Sequence, residues 1–348
     1  MLPALAYLHG KPKSTGLLRA CITDFKVFEQ LPFEPCSEGE HLLIHIRKTG
    51  QNTVDIARAL AKYFKVKDKF VSYAGLKDRF AITEQWFGVH LPGKDEYDLS
   101  DINIDGVEVL FYARHNKKLR IGALTGNYFE LTLREVSDIN ALQQAWLTII
   151  ANGVPNYFGE QRFGIDGGNI DKAIKLFTNK ITVKDKKKRG FYLSAARSYL
   201  FNDVVSRRIE QGYFNTLSVG DVCMLAGSQS VFLAEDVDQV LHERLLDKNI
   251  DITGPMWGAG ELMSQGQTRI FEQQVAQCHD AILKGLPKFG LKQQRRRIRL
   301  NVKTPSIIVD HESDNQSTVM LKFFLPAGCY ATTILRELID YKDMSLHN

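Results

Sequence analysis

"KFVSYAGLKDRFAITEQWFGVHL", residues 69–91, sets two extended segments around a short turn. "KFVSYAG" reads as a short strand and "AITEQWFGVHL" as a second one, each rich in β-branched and aromatic residues. The spacing leaves no room for the crossover helix of a βαβ series. The same holds on both sides of this stretch. In "LLRACITDFKVFEQL", residues 17–31, Ile22, Asp24, Lys26 and Phe28 alternate with Thr23, Phe25, Val27 and Glu29, which predicts one strand. "GEHLLIHIRKTG", "GVEVLFYAR" and "NYFELTLREV" add three more. Between them, "QNTVDIARALAKYFKV" changes period, with Ile56, Ala57, Leu60, Ala61 and Phe64 on one helical stripe. Asn52 or Thr53 is expected to cap it by accepting from the first free backbone donors. The first 135 residues therefore predict an α+β fold, a mixed or antiparallel sheet with helices on one face.

A helix is expected over "DINALQQAWLTIIANG", and "GVPNYFGEQRFGIDGGN" then places five glycines and a proline in 17 residues, a boundary. Beyond it come a long helix in "FYLSAARSYLFNDVVSRRIEQG", a short hairpin in "VGDVCMLAGSQSVFLAE" and another helix in "DVDQVLHERLLDKN". Strand patterns return in "PSIIVDH" and "STVMLKFFLPAG", followed by a closing helix in "ATTILRELIDY". A sheet that starts before residue 135 and resumes after 300 implies one catalytic domain interrupted by an insertion.

Net charge is only +5, but its distribution is uneven. Ala281 to Lys303 holds eight Lys or Arg and no acid, ending in "KQQRRRIRLNVK". "KDKKKRG" (Lys184–Gly190) and "RHNKKLR" (Arg114–Arg120) are further basic clusters, and the three together point to a nucleic-acid partner. The five cysteines are scattered without a C-x-x-C pair, so neither a disulfide framework nor a structural zinc site is expected. His41 and His45 read as strand histidines rather than a metal pair. No apolar run reaches membrane-spanning length, and the first residues carry no secretory pattern. The cytosol is the expected compartment.

Asp78 lies between Lys77 and Arg79, with Tyr73, Phe80, Trp86 and Phe87 nearby. It is either a turn residue that satisfies local donors or an ionised carboxylate with a chemical role. Cations on both sides favour the charged form, suited to a nucleophile, a base or an electrostatic stabiliser rather than a general acid. "LTGNYFELTL" carries Asn127, Tyr128 and Phe129 as it enters a strand, and "FFLPAGCYATTILREL" carries Tyr330 where Gly328 turns the chain into a helix. Asparagine reads base edges and aromatic rings stack on unstacked bases.

"DFKVFE", "AGLKDRFAITEQ", "GNYFEL" and "LPAGCYATTILREL", in that order, resemble the tRNA pseudouridine synthase D (TruD) family, over essentially the whole chain. "VPNYFGEQRFG" marks where that family's inserted domain begins. The resemblance implies a pseudouridine synthase fold: a mixed, mostly antiparallel sheet flanked by helices, with an α/β TRUD domain inserted. Residues 1–154 plus 305–348 would form the catalytic domain and 155–304 the insertion. It implies isomerisation of uridine to pseudouridine in tRNA, at uridine 13, by a cytoplasmic monomer with no cofactor, no metal and no membrane. Asp78 would be the catalytic aspartate, and Phe25, Asn127 and Tyr330 would contact substrate, with Phe129 beside them in the pocket. Position 330 departs from the family's common phenylalanine but keeps a stacking ring. Position 19 is lysine in some relatives, and Arg19 keeps the charge that would pair with Asp78. A pseudouridine synthase for another RNA, or a non-catalytic RNA-binding protein that retains the fold, are the alternatives.

Overall fold

The structure, a computed structural model, describes residues 3–93, 97–311 and 317–346. The chain first forms β1 (Thr15–Leu18), β2 (Phe25–Gln30), β3 (His41–Thr49), α1 (Thr53–Tyr63) and β4 (Val71–Tyr73). Next come β5 (Ile82–His90), β6 (Val107–His115), β7 (Gly126–Arg134) and α2 (Ile139–Asn152). The middle holds β8 (Val154–Pro155), α3 (Gly168–Phe177), α4 (Lys186–Glu210), β9 (Val222–Leu225), β10 (Val231–Leu233) and α5 (Gln239–Leu246). It continues through β11 (Ile250–Met256), α6 (Gly266–Gln277), α7 (Asp280–Lys288), β12 (Gln294–Arg297) and β13 (Arg299–Leu300). The last elements are β14 (Lys303–His311), β15 (Ser317–Pro326), α8 (Ala331–Leu338) and β16 (Asp340–Asp343). Contacts divide the chain into two compact units. One gathers Pro12–Ile150, Val302–Ala331 and Leu338–Asn348, and the other Met1–Lys11, Ala151–Asn301 and Thr332–Glu337.

The first unit is built on a sheet ordered β14-β15-β7-β2-β5-β3-β6, with β1 joining β7 to β16 and β4 lying beside β5. Its ladders are antiparallel except β2 with β5 and β1 with β16. In β15, Val319, Leu321, Phe323 and Leu325 are buried and alternate with less buried neighbours, the period-2 signature of a half-covered sheet. Register brings Phe323 opposite Phe129 and Val27 opposite Phe129, so these side chains share a face. Trp146 of α2 meets Phe323 on that face, and Ile56 and Leu60 of α1 pack into the cluster of Ile44, Ile46, Phe87 and Val89. Polar residues continue the same alternation: Glu29 after Phe25 and Val27, Lys48 after Ile44 and Ile46, and Gln85 before Phe87 are all buried.

Two local expectations fail here for tertiary reasons. The alternation over residues 17–31 is not one strand. It breaks into β1, a single 3-10 turn at Ile22–Asp24, and β2, because Arg19 adopts a left-handed backbone with φ 57°. Neither Asn52 nor Thr53 caps α1 with its side chain. The Thr53 hydroxyl is engaged instead by the segment that carries Asp78.

In the second unit, β11 is flanked by β9 and β12, with β10 outside β9, all antiparallel. The long helix α4 starts at Asp185, whose carboxylate accepts from the Lys187 and Lys188 amides, and buries Ala195, Ala196, Leu200, Phe201 and Val204. The basic tract that ends this segment is not a free phosphate-binding surface. Arg295 is buried in a two-pronged pair with Glu272, and Arg297 pairs with Asp251 at 2.9 Å. Arg296 donates to Asn156 Oδ1 and lies 4.1 Å over the Phe158 ring, while Arg299 donates to Asn215 Oδ1. These arginines hold β12 and β13 in place. Exposed cations are found instead at Lys184 and Lys186–Lys188, and at Lys117, Lys118 and Arg120 of the first unit.

Candidate active site

Residues 74–81, between β4 and β5, are anchored on several sides. Thr53 Oγ1 accepts from the Lys77 amide at 3.1 Å and donates to Gln85 Oε1 at 2.9 Å, and Gln85 Nε2 donates to the Gly75 carbonyl. Lys48, fully buried at the end of β3, donates from Nζ to the Asp78 carbonyl at 2.7 Å and the Gln51 carbonyl at 2.8 Å. Burial pushes the Lys48 ammonium down to about 8, the Asp78 charge opposing that fall and Lys77 adding to it. A backbone carbonyl bound by an interior cation is fixed far more firmly than one bound by water, so the main chain at Asp78 is set by β3.

The two cations beside Asp78 in the sequence turn elsewhere. Lys77 Nζ lies 2.7 Å from Glu29 Oε2 and donates to Asn127 Oδ1 at 2.7 Å. Arg79 Nε donates to the Gly50 carbonyl at 3.3 Å. The guanidinium on the Asp78 carboxylate comes from 59 residues away: Arg19 Nη2 lies 3.0 Å from Asp78 Oδ2. Arg19 also stacks over the Phe25 ring at 4.0 Å, and Nη1 reaches Asp343 Oδ2 at 2.5 Å. The Asp78 side chain keeps 33% of its surface open, against 5% for Arg19.

Phe25 meets Phe129 edge-on at 6.4 Å, and Phe129 stacks on Phe323 at 5.4 Å. At 2% and 7% exposure, Phe25 and Phe129 are both buried. Asn127 sits opposite both Glu29 and Leu325 in the ladder, which is how Lys77 reaches Glu29 and Asn127 together. Next to it Gly126 is obligatory, because a Cβ there would collide with the Leu325 carbonyl and the Phe324 ring. Tyr330 is half-buried just before α8, after a turn in which Gly328 has φ 79°. That turn is tied to the start of β7 by the Ala327 amide, which donates to the Thr125 carbonyl at 3.1 Å.

Asp78, Arg19, Phe25 and Phe129 thus form one contiguous group, Asn127 joins it through Lys77, and Tyr330 follows the turn whose Ala327 amide is tied to the start of β7. Sequence reasoning missed Glu29, Lys48, Thr53, Gln85 and Asp343. Glu29 and Lys48 carried a usable signal, since each puts a charge on the apolar register of its strand. Asp343 carried none, lying 324 residues from its partner.

The sequence model of a family described as tRNA pseudouridine synthase D (TruD) matches residues 2–170 and 175–338. The chain belongs to that family. A protein named tRNA pseudouridine synthase D from Colwellia psychrerythraea is 61% identical, the match covering 99% of this chain and 95% of the relative. Another of that name from Aeromonas hydrophila is 48% identical over 99% of this chain and 96% of its own. A crystal structure described as that of the "Putative tRNA pseudouridine synthase D (TruD)" from Methanosarcina mazei superposes with a TM-score of 0.72 at 23% identity, over 96% of this chain and 95% of that one. It shows the pseudouridine synthase D fold. Among the described residues no three His, Cys, Asp or Glu are grouped to hold a metal ion, and no helix is long and apolar enough to cross a membrane.

Proposed function

We propose that this chain converts uridine to pseudouridine in tRNA, at uridine 13, with Asp78 as the catalytic carboxylate. Family membership makes it a tRNA pseudouridine synthase, an isomerase. The observation that carries the assignment of Asp78 is its setting: a partly open carboxylate 3.0 Å from the buried Arg19, on a backbone held by Lys48 and next to the Phe25–Phe129 rings. The reaction breaks C1′–N1, turns the uracil and forms C1′–C5, while C5 gives up its proton and N1 takes one up by exchange with solvent. Atoms balance without a redox partner. The carboxylate either adds to C1′ or takes the C2′ proton to give a glycal. Both routes need the uridine out of its stack, which costs a few kcal/mol. Stacking on an aromatic ring returns about 1–3 kcal/mol per base, and Tyr330, the most open of the candidate rings, supports that role.

Asn127 Oδ1 is taken by Lys77, so its amide N–H2 is the group with donors for a uracil carbonyl. Phe25 and Phe129 support the pocket from beneath, and Arg19 orients and electrostatically balances Asp78. Residues 1–154 plus 305–348 serve as the catalytic domain and 155–304 as the insertion, and the enzyme works as a cytoplasmic monomer. Incubation with unmodified tRNA transcripts, followed by mapping of pseudouridine, tests the reading. Wild type is expected to modify position 13 and Asp78→Asn to modify nothing. Absence of pseudouridine with the wild type, or equal activity in the variant, would refute the enzyme class or the residue, respectively.

A further inference from the structure

We infer that Asp343 is a positioning residue for the reaction: through Arg19 it fixes the charge that Asp78 faces. The inference rests on the reading of Asp78 as the catalytic carboxylate. Its observation is a relay of contacts. Asp343 Oδ1 accepts from the Ser345 amide at 3.0 Å and the Ser345 hydroxyl at 2.7 Å. Arg19 Nη1 donates to Asp343 Oδ2, and Arg19 Nη2 donates to Asp78 Oδ2. A planar guanidinium held at two of its corners and across its face by Phe25 has little freedom to rotate.

The backbone explains why a residue so far along the chain is needed. β1 and β16 pair in parallel with Leu18 opposite Asp343, so Arg19 follows directly on the last paired residue. At Arg19 the chain departs from the strand into the left-handed region, φ 57°, which is uncommon for a residue with a Cβ. The parallel ladder supplies the anchor and the Asp343 carboxylate supplies the pull. Asp343 is also the more enclosed of the two carboxylates, its side chain 17% exposed against 33% for Asp78. The arrangement separates tasks. The enclosed carboxylate holds the guanidinium, and the open one faces the substrate.

With Asp343 removed, Arg19 keeps one carboxylate and is free to swing into a two-pronged pair with Asp78, which places both Asp78 oxygens on the cation instead of on the ribose. The loss therefore falls on the chemical step and not on tRNA binding. The test compares wild type, Asp343→Ala, Asp343→Asn, Asp78→Asn and the pair Arg19→Met with and without Asp343→Ala. Pseudouridine formation is followed under single and multiple turnover, and each variant is checked for its melting transition. Expected are a fall in kcat of at least tenfold for Asp343→Ala with KM within twofold, and partial recovery in Asp343→Asn, whose amide oxygen still accepts from Arg19. No further fall is expected when Asp343→Ala is added to Arg19→Met.

If Asp343→Ala keeps kcat within twofold while Asp78→Asn is inactive, Asp343 has no positioning role and the reading of Asp78 stands. If Asp78→Asn is active, both fall. A fall in Asp343→Ala accompanied by a raised KM or an abolished melting transition, with no recovery in Asp343→Asn, marks a scaffold residue and overturns the inference.

Discussion

Replacing Lys48 by methionine separates the two consequences of a buried ammonium. Lys48 is fully buried and its amine is bound by the carbonyls of Asp78 and Gln51. Burial lowers its pKa from the ordinary 10.5 to about 8. At about 1.36 kcal/mol per pK unit, that corresponds to about 3 kcal/mol by which folding disfavours the charged lysine. The unfolded chain binds the proton more tightly, so between pH 8 and 10.5 it carries more protons than the folded one, and stability rises with pH across that window. Below pH 8 the penalty is present in full; above 10.5 it is gone. Methionine removes the penalty but leaves two carbonyls without donors, at about 1–3 kcal/mol each, independent of pH. The two contributions nearly offset at pH 7.5, so Lys48→Met is expected to fold there with little change in stability. It should fall behind wild type by about 3 kcal/mol more at pH 10.5. Urea unfolding of both proteins at pH 7.5, 9 and 10.5 reads this difference, in which other titrating groups cancel. Activity follows a different course: with the Asp78 carbonyl untethered, kcat at pH 7.5 should drop at least tenfold despite unchanged stability. A stability difference constant with pH would mean that Lys48 titrates as it does in the unfolded chain, and full activity would mean that its bond to Asp78 sets nothing.

Two further outcomes concern the second unit. Glu272→Ala strands Arg295 as a buried unpaired cation and should destabilise the protein by about 3–5 kcal/mol in denaturant unfolding; a loss below 1 kcal/mol would show that water reaches the guanidinium. Changing Lys186, Lys187 and Lys188 to glutamine should flatten the salt dependence of tRNA affinity, by nearly one unit of log–log slope for each phosphate the patch no longer neutralises. An unchanged slope would exclude this patch from the tRNA interface.

Legibility of the fold in the sequence tracked how local each determinant was. β5, β7 and β15 were readable because alternation is a local property that one covered face imposes. α1 was readable from its stripe of Ile56, Ala57, Leu60 and Ala61. The break at Arg19 was hidden, since nothing in the local pattern marks its left-handed backbone, and the carboxylates its side chain binds lie at positions 78 and 343. Thr53 looked like a helix cap because its competing partners, Lys77 and Gln85, are remote in sequence. The tract around Arg295 read as a phosphate-binding surface for the same reason: Glu272 and Asp251, which neutralise it, lie in other elements. In the site, the location of Asp78 was legible from its motif, and its cation, Arg19, was legible only from the family resemblance and not from the local charge pattern. Adjacent Lys77 and Arg79 were the obvious candidates, and the loop directs both away.

The ladder between β7 and β15 also sets a timetable. Glu130 and Lys322, paired across it at 3.0 Å, are 192 residues apart in the chain. At about 5–20 residues per second of synthesis, β7 waits on the order of 10–40 s for its neighbour. Throughout that interval the edge of β7 that carries Asn127 and Phe129 has open hydrogen-bonding groups and an uncovered apolar row, the condition in which strands pair with the wrong partner. The sheet of the first unit is therefore the last part of the protein able to close. Its yield in the cell depends on how the nascent chain is protected while the intervening segment is being made.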